Sequence, residues 1–395
     1  MKAVILAAGK STRTHPVTVT RPKALVKIGN KPLLQYNLES LDGKVDEVVL
    51  VVGFMKEMIK QRFGSGFRGM KLSYVEQKEQ LGTAHALLAA EPQLDGDFLV
   101  LMGDDIYGEG ATGKMCREGY AVLAQRIENP SRFGVWIARN GRVNGFAEKP
   151  AGAVSNLVNC GMYKLDTGVF DCIRKLEKSK RGEYELNEAV NALAKEKEVR
   201  VVDSGNEWVS VGYPWDILGA NEAILDSIES EIKGVVEPNA TIKGRVRIGR
   251  GSIIRNGSYI EGPVVIGENC VIGPNCFIRG KTSIGDNCRV GNAVEIKNCV
   301  IGDRTNVGHL TYLGDCVAGD DVNIGAGNIT ANLRHDNKNI STMVKGVMVD
   351  TGRRKFGAVI GDRVHTGINT SFYPGRKLWP GQTTLPGEIV KKDKM

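Results

Sequence analysis

From Val236 to Ile296 an aliphatic side chain returns at every sixth position, through Ile242, Ile248, Ile254, Ile260, Ile266, Ile272, Ile278, Ile284 and Val290. A helix repeats every 3.6 residues and a strand every two, so this rhythm belongs to neither. It fits a parallel β-helix, in which each hexapeptide forms one side of a coil. The slot two places before each aliphatic residue holds Ala240, Ser252, Ser258, Val264, Cys270, Cys276, Thr282 and Cys288. That slot reads as a small, inward-facing position. The cysteines are therefore expected to be reduced packing residues, which suits a reducing compartment and a cytoplasmic protein. None of the eight cysteines forms a CxxC pair.

After Ile296 the rhythm slips by one residue. It resumes at Ile301, Val307 and Leu313 and slips again before Ile324. It lapses over 331–356 in a polar, basic stretch and returns near Ile360. An interrupted solenoid carries a loop at the interruption, often on its binding face. The last stretch, from Pro374 onward, reads as irregular.

Upstream the pattern changes. Apolar strand-like runs such as KAVILAA, DEVVLVVG and DFLVLMGD alternate with helical patterns such as PLLQYNLESL and TAHALLAAEP. This alternation predicts an open, mainly parallel sheet flanked by helices, with ligands outside the C-terminal ends of the strands. The expected organisation is an α/β domain over 1–218, a linker helix over 219–233 and a β-helix over 234–395. No apolar run reaches the ~20 residues of a membrane span. The net charge is +8, and the whole surplus lies beyond residue 233. Basic residues without interleaved aromatics speak for small phosphorylated partners over nucleic acid.

The first strand runs into LAAGKSTRTHPVTVTRPKALVKI, where Gly9 lets backbone approach phosphate and Arg13 and Lys23 supply cations. The spacing fits neither a Walker loop nor GxGxxG. This segment resembles the signature of the sugar-phosphate nucleotidylyltransferases, LAAGxGTR followed by PK. The resemblance continues through QLGTAHAL, VLMGDD, RFGV, FAEKP and VNCGMY. It implies nucleotide contacts at Leu6, Ala8, Gly9, Gln77, Gly82 and Thr83, and sugar contacts at Gly134, Glu148 and Asn159. It implies catalytic roles for Arg13 and Lys23 and a Mg²⁺ ligand in Asp104. Two positions depart from the pattern. Ser11 stands where the family has glycine, and Ser210, in WVSVGYPWD, stands where it has a second metal-binding Asp or Asn. Asp105 and Asp216 are the other carboxylates in reach of such a role.

In the repeat region, VGHLTYLGD…NIGAGNITANLRHDNK is similar to the acetyltransferase domain of the bacterial bifunctional enzymes that make UDP-N-acetylglucosamine. The similarity implies a general base in His309. It implies amino-sugar phosphate contacts from Arg279, Lys297, Tyr312, Asn323, Asn332 and Lys338, and acetyl-CoA contacts near Ala326. Thr351 and the run Arg353–Arg354–Lys355 are further acetyl-CoA candidates. An imidazole titrates near neutral pH, as a base for an amine nucleophile must.

Together the two resemblances imply a Rossmann-like open-sheet nucleotidyltransferase domain followed by a left-handed parallel β-helix. The expected function is N-acetylation of glucosamine 1-phosphate by acetyl-CoA, then uridylyl transfer from UTP to N-acetylglucosamine 1-phosphate. A homotrimer is the expected assembly, with no membrane or nucleic-acid partner. Two alternatives stay open. One is a glucose-1-phosphate thymidylyl- or uridylyltransferase whose β-helix only holds the trimer together; the other is a regulatory, non-enzymatic relative.

Overall fold

Three hexapeptides close one coil. In the computed structural model, which describes residues 1–150, 152 and 154–395, Ile242 pairs in register with Ile260, Ile260 with Ile278, and Ile278 with Ile296. The other two sides stack alike, as Ile248–Ile266–Ile284 and as Val236–Ile254–Ile272. The three parallel sheets have eight, six and eight strands, the architecture of a left-handed β-helix. The repeated aliphatic residues form one internal column per side, and nearly all are fully buried. Cys270, Cys276, Cys288, Cys299 and Cys316 are buried and free, as packing residues should be. The thiols of Cys270, Cys276, Cys288 and Cys299 turn to backbone oxygens of the next coil, as Cys288 does to Gly302 at 3.1 Å, and Cys316 turns to the hydroxyl of Thr330.

Each corner needs a tight backbone turn. Asn269, Asn275, Asn287 and Asn298 take positive φ there, between 51° and 58°. Asparagine enters this left-handed region more readily than most residues because its side chain bonds locally. Gly257, at φ 72°, shows why some corners need no side chain: a Cβ there would lie 2.1 Å from Asn275 Oδ1.

One corner carries a ladder of carboxylates. Oδ1 of Asp286, Asp303, Asp320 and Asp362 accepts the backbone N–H of Glu268, Asp286, Asp303 and Asp320 respectively, at 2.8–2.9 Å. The second oxygens need cations. Arg21 reaches Asp362 at 2.6 Å and Asp320 at 3.1 Å, and Lys27 reaches Asp303 at 2.6 Å. Segments 11–21 and 26–32 thus belong by their contacts to the same unit as 211–395. The remaining residues up to Ser210 form the other unit.

Two details differ from the sequence reading, and the expected loop is present. The helix before the coils is Pro214–Leu225, and Glu231–Ile232 is already a strand of the first coil. Asp216 sets the early start, because its carboxylate accepts the N–H groups of Gly212 and Tyr213 at 2.9 and 2.8 Å. The 331–356 lapse is a loop that projects the hairpin Ser341–Val344/Val347–Asp350. The last stretch is not irregular: Val359–Ile360 pairs with Lys377–Leu378, and Ser371–Phe372 with Ile389–Val390. On one side only, threonines replace aliphatics, with Thr366 and Thr384 continuing the column of Ile324. The hydroxyls of Thr370 and Thr384 bond each other at 2.7 Å, so the geometry persists after the hydropathy signal fades.

The other unit is built on a ten-stranded sheet. At its centre Lys2–Ala7 lies between Glu47–Val52 and Asp97–Met102, all parallel. The sheet is mixed where a mainly parallel one was expected. Leu157–Asp166 runs antiparallel to Asp97–Met102, and the hairpin Gly134–Arg139/Arg142–Glu148 adds further antiparallel pairs. Asn140–Gly141 makes the hairpin turn, both at positive φ, the favoured pair for a two-residue connection. Among the described residues no helix is long and apolar enough to cross a membrane.

The column makes a testable demand. Ile278→Ala empties a fully buried slot and should cost about 2–5 kcal/mol. Arg289→Ala, on the exposed side of a neighbouring strand, should stay within about 0.5 kcal/mol. Denaturant midpoints of the β-helix transition check both, and equal midpoint shifts would contradict the assigned inward and outward faces.

Candidate functional site

In the sheet unit the predicted nucleotide residues gather at the C-terminal ends of the central strands. Leu6 and Ala8 are buried at the end of Lys2–Ala7. Gly9 follows with open space where a Cβ would stand, so its bareness serves access, not a turn. Gly103 donates its N–H to Leu6 O at 2.9 Å, which brings the carboxylates of Asp104 and Asp105 beside that loop. Lys23, in a short 3₁₀ turn, is almost wholly buried and places Nζ 2.8 Å from Asp104 Oδ2.

Asp105 behaves differently from Asp104. It is buried, and it accepts from Trp208 Nε1 at 3.0 Å. The short strand Trp208–Ser210 pairs antiparallel with Asp105–Tyr107, placing Ser210 directly opposite Asp105 and in hydrogen-bond contact with its side chain. Burial, and then the charge of Asp104, push the Asp105 carboxyl up to about 7. The position where the resemblance expects a second metal-binding side chain is thus tied to a neighbouring carboxylate. Among the described residues no cluster of three or more His, Cys, Asp or Glu side chains is placed to hold a metal.

Gln77 is buried and donates Nε2 to Gly82 O at 3.0 Å, with His85 Nδ1 3.1 Å away. Gly82 has φ 110°, and a Cβ there would meet Tyr184 O at 2.4 Å, so only glycine fits. Thr83 Oγ1 accepts the N–H of Leu186, which commits that hydroxyl to packing two helices. Gly134 pairs with Glu148, and Val135 with Val158, so Gly134, Glu148 and Asn159 meet at one end of three adjacent strands. A Cβ on Gly134 would collide with Phe146 and Glu148 Oε2. Asn159 is held by Tyr163 OH at 2.9 Å and by the N–H of Gly161 at 3.0 Å.

The loop after the first strand explains one departure from the family pattern. Ser11 has φ 48° and ψ 44°, a conformation in which glycine is unstrained. Ser11 takes it here all the same. Arg13 lies 5.6 Å over the ring of Tyr213, which stacks on Trp215 with centroids 4.4 Å apart.

In the β-helix unit the predicted residues form two groups. His309 and Asn323 line a cavity of about 310 Å³ together with Arg255, Arg289 and Asn306. Arg279, Lys297, Tyr312 and Asn332 lie on the next side of the prism. Arg279 and Lys297 stack in one column, and the third member of that column is Gly314. A Cβ on Gly314 would lie 2.4 Å from Tyr312 OH and 2.6 Å from Asn332 Nδ2, so the missing side chain makes room for that pair. Asn332 donates to Tyr312 OH at 3.3 Å. Arg279 holds Glu295 at 2.7 Å, and Lys297 holds Asp315 at 3.3 Å. Burial, and then the charge of Asp315, raise the Tyr312 phenol above its usual range.

Asp315 is the residue the sequence reading missed. The one signal for it was an acidic residue at a corner where the coil before has Asn298. Lys338 is exposed on the projecting loop, beside the Arg334–Asp336 pair. Ala326 occupies the corner slot above His309, where Gly308 must be bare because a Cβ would lie 2.7 Å from Ala326 N. Two acetyl-CoA candidates are committed inside the fold. Thr351 is buried and donates to Ile340 O at 2.7 Å, and Arg353 is paired with Glu222. Arg354 and Lys355 are exposed.

Comparison with known proteins gives the family. A nucleotidyl transferase family model matches residues 2–227, and the model of a GMPPB C-terminal domain matches 260–373. The "Bifunctional protein GlmU" of Methanococcus maripaludis is 40% identical over 98% of this chain and 93% of its own length. A "bifunctional sugar-1-phosphate nucleotidylyltransferase/acetyltransferase" of Sulfurisphaera tokodaii is 39% identical over 100% of this chain and 98% of its own. A Bacillus anthracis structure, described as a glucose-1-phosphate thymidylyltransferase with bound sucrose, superposes with a TM-score of 0.53 at 27% identity. It covers 58% of this chain and 97% of its own. The chain belongs to the nucleotidyl transferase family, in the group that joins a sugar-1-phosphate nucleotidylyltransferase to an acetyltransferase in one polypeptide.

Proposed function

We propose that this protein makes UDP-N-acetylglucosamine in two steps, acetylating glucosamine 1-phosphate and then transferring a uridylyl group to the product. The observation that carries the reading is co-linear similarity through both units to proteins named for both activities.

In the acetyl transfer the sugar amine attacks the thioester carbonyl of acetyl-CoA. A C–N bond forms, the C–S bond breaks, and CoA leaves as the thiol once it gains a proton. His309 takes the proton from the attacking nitrogen. The side chains around Lys297 and Asn332 hold the sugar phosphate, and backbone near Ala326 faces the oxyanion. Lys338 adds a cation from the projecting loop.

In the second step a phosphate oxygen of the acetylated sugar attacks the α-phosphorus of UTP, and pyrophosphate leaves. Both reactants are polyanions, so positioning and charge neutralisation carry most of the catalysis. Lys23 binds and orients the facing phosphates, and Arg13 neutralises the leaving pyrophosphate. Gln77 and Gly82 read the base, and Gly134, Glu148 and Asn159 the sugar. Asp104, the accessible carboxylate beside Lys23, would be the residue to hold a Mg²⁺ that arrives with the nucleotide. When bound, that ion supplies charge neutralisation across the phosphate oxygens. We further propose a homotrimer, in which β-helices side by side would bring His309 of one copy to the phosphate-binding group of another.

Two substitutions separate the steps. Lys23→Met should slow pyrophosphate release from UTP and N-acetylglucosamine 1-phosphate by about 10²–10³-fold while thiol release from acetyl-CoA is unchanged. His309→Ala should slow thiol release by about 10²–10⁴-fold and leave pyrophosphate release intact. A His309→Ala enzyme that still acetylates at the wild-type rate would remove the imidazole from the mechanism. Failure of the wild-type chain to release thiol at all would leave the β-helix a scaffold.

A further inference from the structure

The phosphate-binding group proposed above contains a carboxylate that no role has been given. Asp315 is buried, with its side chain 3% exposed. Its backbone is fixed on both sides: its N–H donates to Lys297 O at 2.9 Å, and its carbonyl accepts from Gly357 N–H at 2.9 Å. It occupies a corner at φ 53°, so the carboxylate is aimed by the coil itself. Oδ1 accepts from Asn298 Nδ2 at 2.8 Å. Oδ2 accepts from Asn332 Nδ2 at 2.5 Å and pairs with Lys297 Nζ at 3.3 Å. Asn298 in turn donates to Glu222 at 2.9 Å, and Glu222 is paired with Arg353.

A buried carboxylate is costly unless its oxygens are filled, and here three donors fill them. The residues that meet on it, Lys297 and Asn332, come from different coils. Each has several rotamers open to it, and one shared acceptor removes most of them. The negative charge also works against the sugar phosphate, because it offsets the charge of Lys297. Electrostatics alone would favour a neutral residue here. The geometry points to Asp315 as a positioning residue for acetyl transfer: it fixes Lys297 and Asn332 so that together they hold the amino-sugar phosphate. This assignment rests on the acetyl-transfer reading above.

The test uses the full-length chain and the variants Asp315→Asn, Lys297→Met and the double variant. Positioning predicts that Asp315→Asn raises KM for glucosamine 1-phosphate by about tenfold or more. KM for acetyl-CoA and the rate of pyrophosphate release with N-acetylglucosamine 1-phosphate should be unchanged. The double variant should cost little more than Lys297→Met alone, because residues acting through one another are not additive. An unchanged or lowered KM for glucosamine 1-phosphate, or fully additive costs, overturns the assignment. So does an equal loss for both acetyl-transfer substrates with a fallen thermal midpoint, which is the signature of a purely structural role. Should the wild type release no thiol, the functional reading fails, and calorimetry with glucosamine 1-phosphate decides the rest. Weaker binding by Asp315→Asn than by wild type supports positioning; equal binding, or none by either, overturns it.

Discussion

The stacking of one aliphatic residue on the next, coil after coil, governs everything in the second half of this molecule. Because Ile242, Ile260, Ile278 and Ile296 lie in one register, every other slot of the repeat is in register too. A coil is a ruler for side chains. Arg279 falls beneath Lys297 and Lys297 beneath Gly314 as a consequence of that register. The aliphatic interior supplies rigidity at low chemical specificity, and the outward slots are then free to carry charge. Such a separation lets a solenoid hold a polar cluster to within fractions of an ångström.

Charge handling follows the same logic in both units. Three of the proposed anion-binding cations already have a carboxylate partner: Lys23 with Asp104, Lys297 with Asp315, Arg279 with Glu295. A lysine as buried as Lys23 could not stand alone in the folded protein. The partners differ in accessibility, and that difference separates their roles. Asp104 has a side chain 41% exposed and can exchange its partner when a nucleotide enters, whereas Asp315 is 3% exposed and stays where it is. One carboxylate is suited to meeting a ligand and the other to holding the residues that do. Asp105 is a third case, a buried acid held by Trp208 and Ser210 whose carboxyl is pushed up to about 7 by burial and the charge of Asp104.

The sequence disclosed the coil because a six-residue period has no other common cause. It disclosed the strand-end loops because their motifs are dense in residues that meet phosphate. Other features lay beyond it for identifiable reasons. Asp315 gathers residues from positions 297, 298 and 332, and that neighbourhood exists only once coil length is known. On one side the final coils replaced aliphatic residues with threonines, whose hydroxyls satisfy each other out of sight of any hydropathy pattern. The helix at Pro214 begins early because Asp216 turns back onto backbone N–H groups. The hairpin at Asn140–Gly141 was legible, since that pair is a strong turn signal, but alternating strands and helices drew the reading towards a parallel sheet. Ser11 departs from the pattern by residue type, and its backbone takes the left-handed conformation that a glycine would enter without strain, which the sequence does not show.

The account stands on two sites of one chain working in order on one sugar. Its most direct test is a single reaction containing the full-length protein, glucosamine 1-phosphate, acetyl-CoA, UTP and Mg²⁺, followed by phosphorus NMR and mass spectrometry. The predicted result is UDP-N-acetylglucosamine, with one CoA and one pyrophosphate released for each molecule formed. Accumulation of UDP-glucosamine, or of any nucleotide sugar with acetyl-CoA left unconsumed, would contradict it.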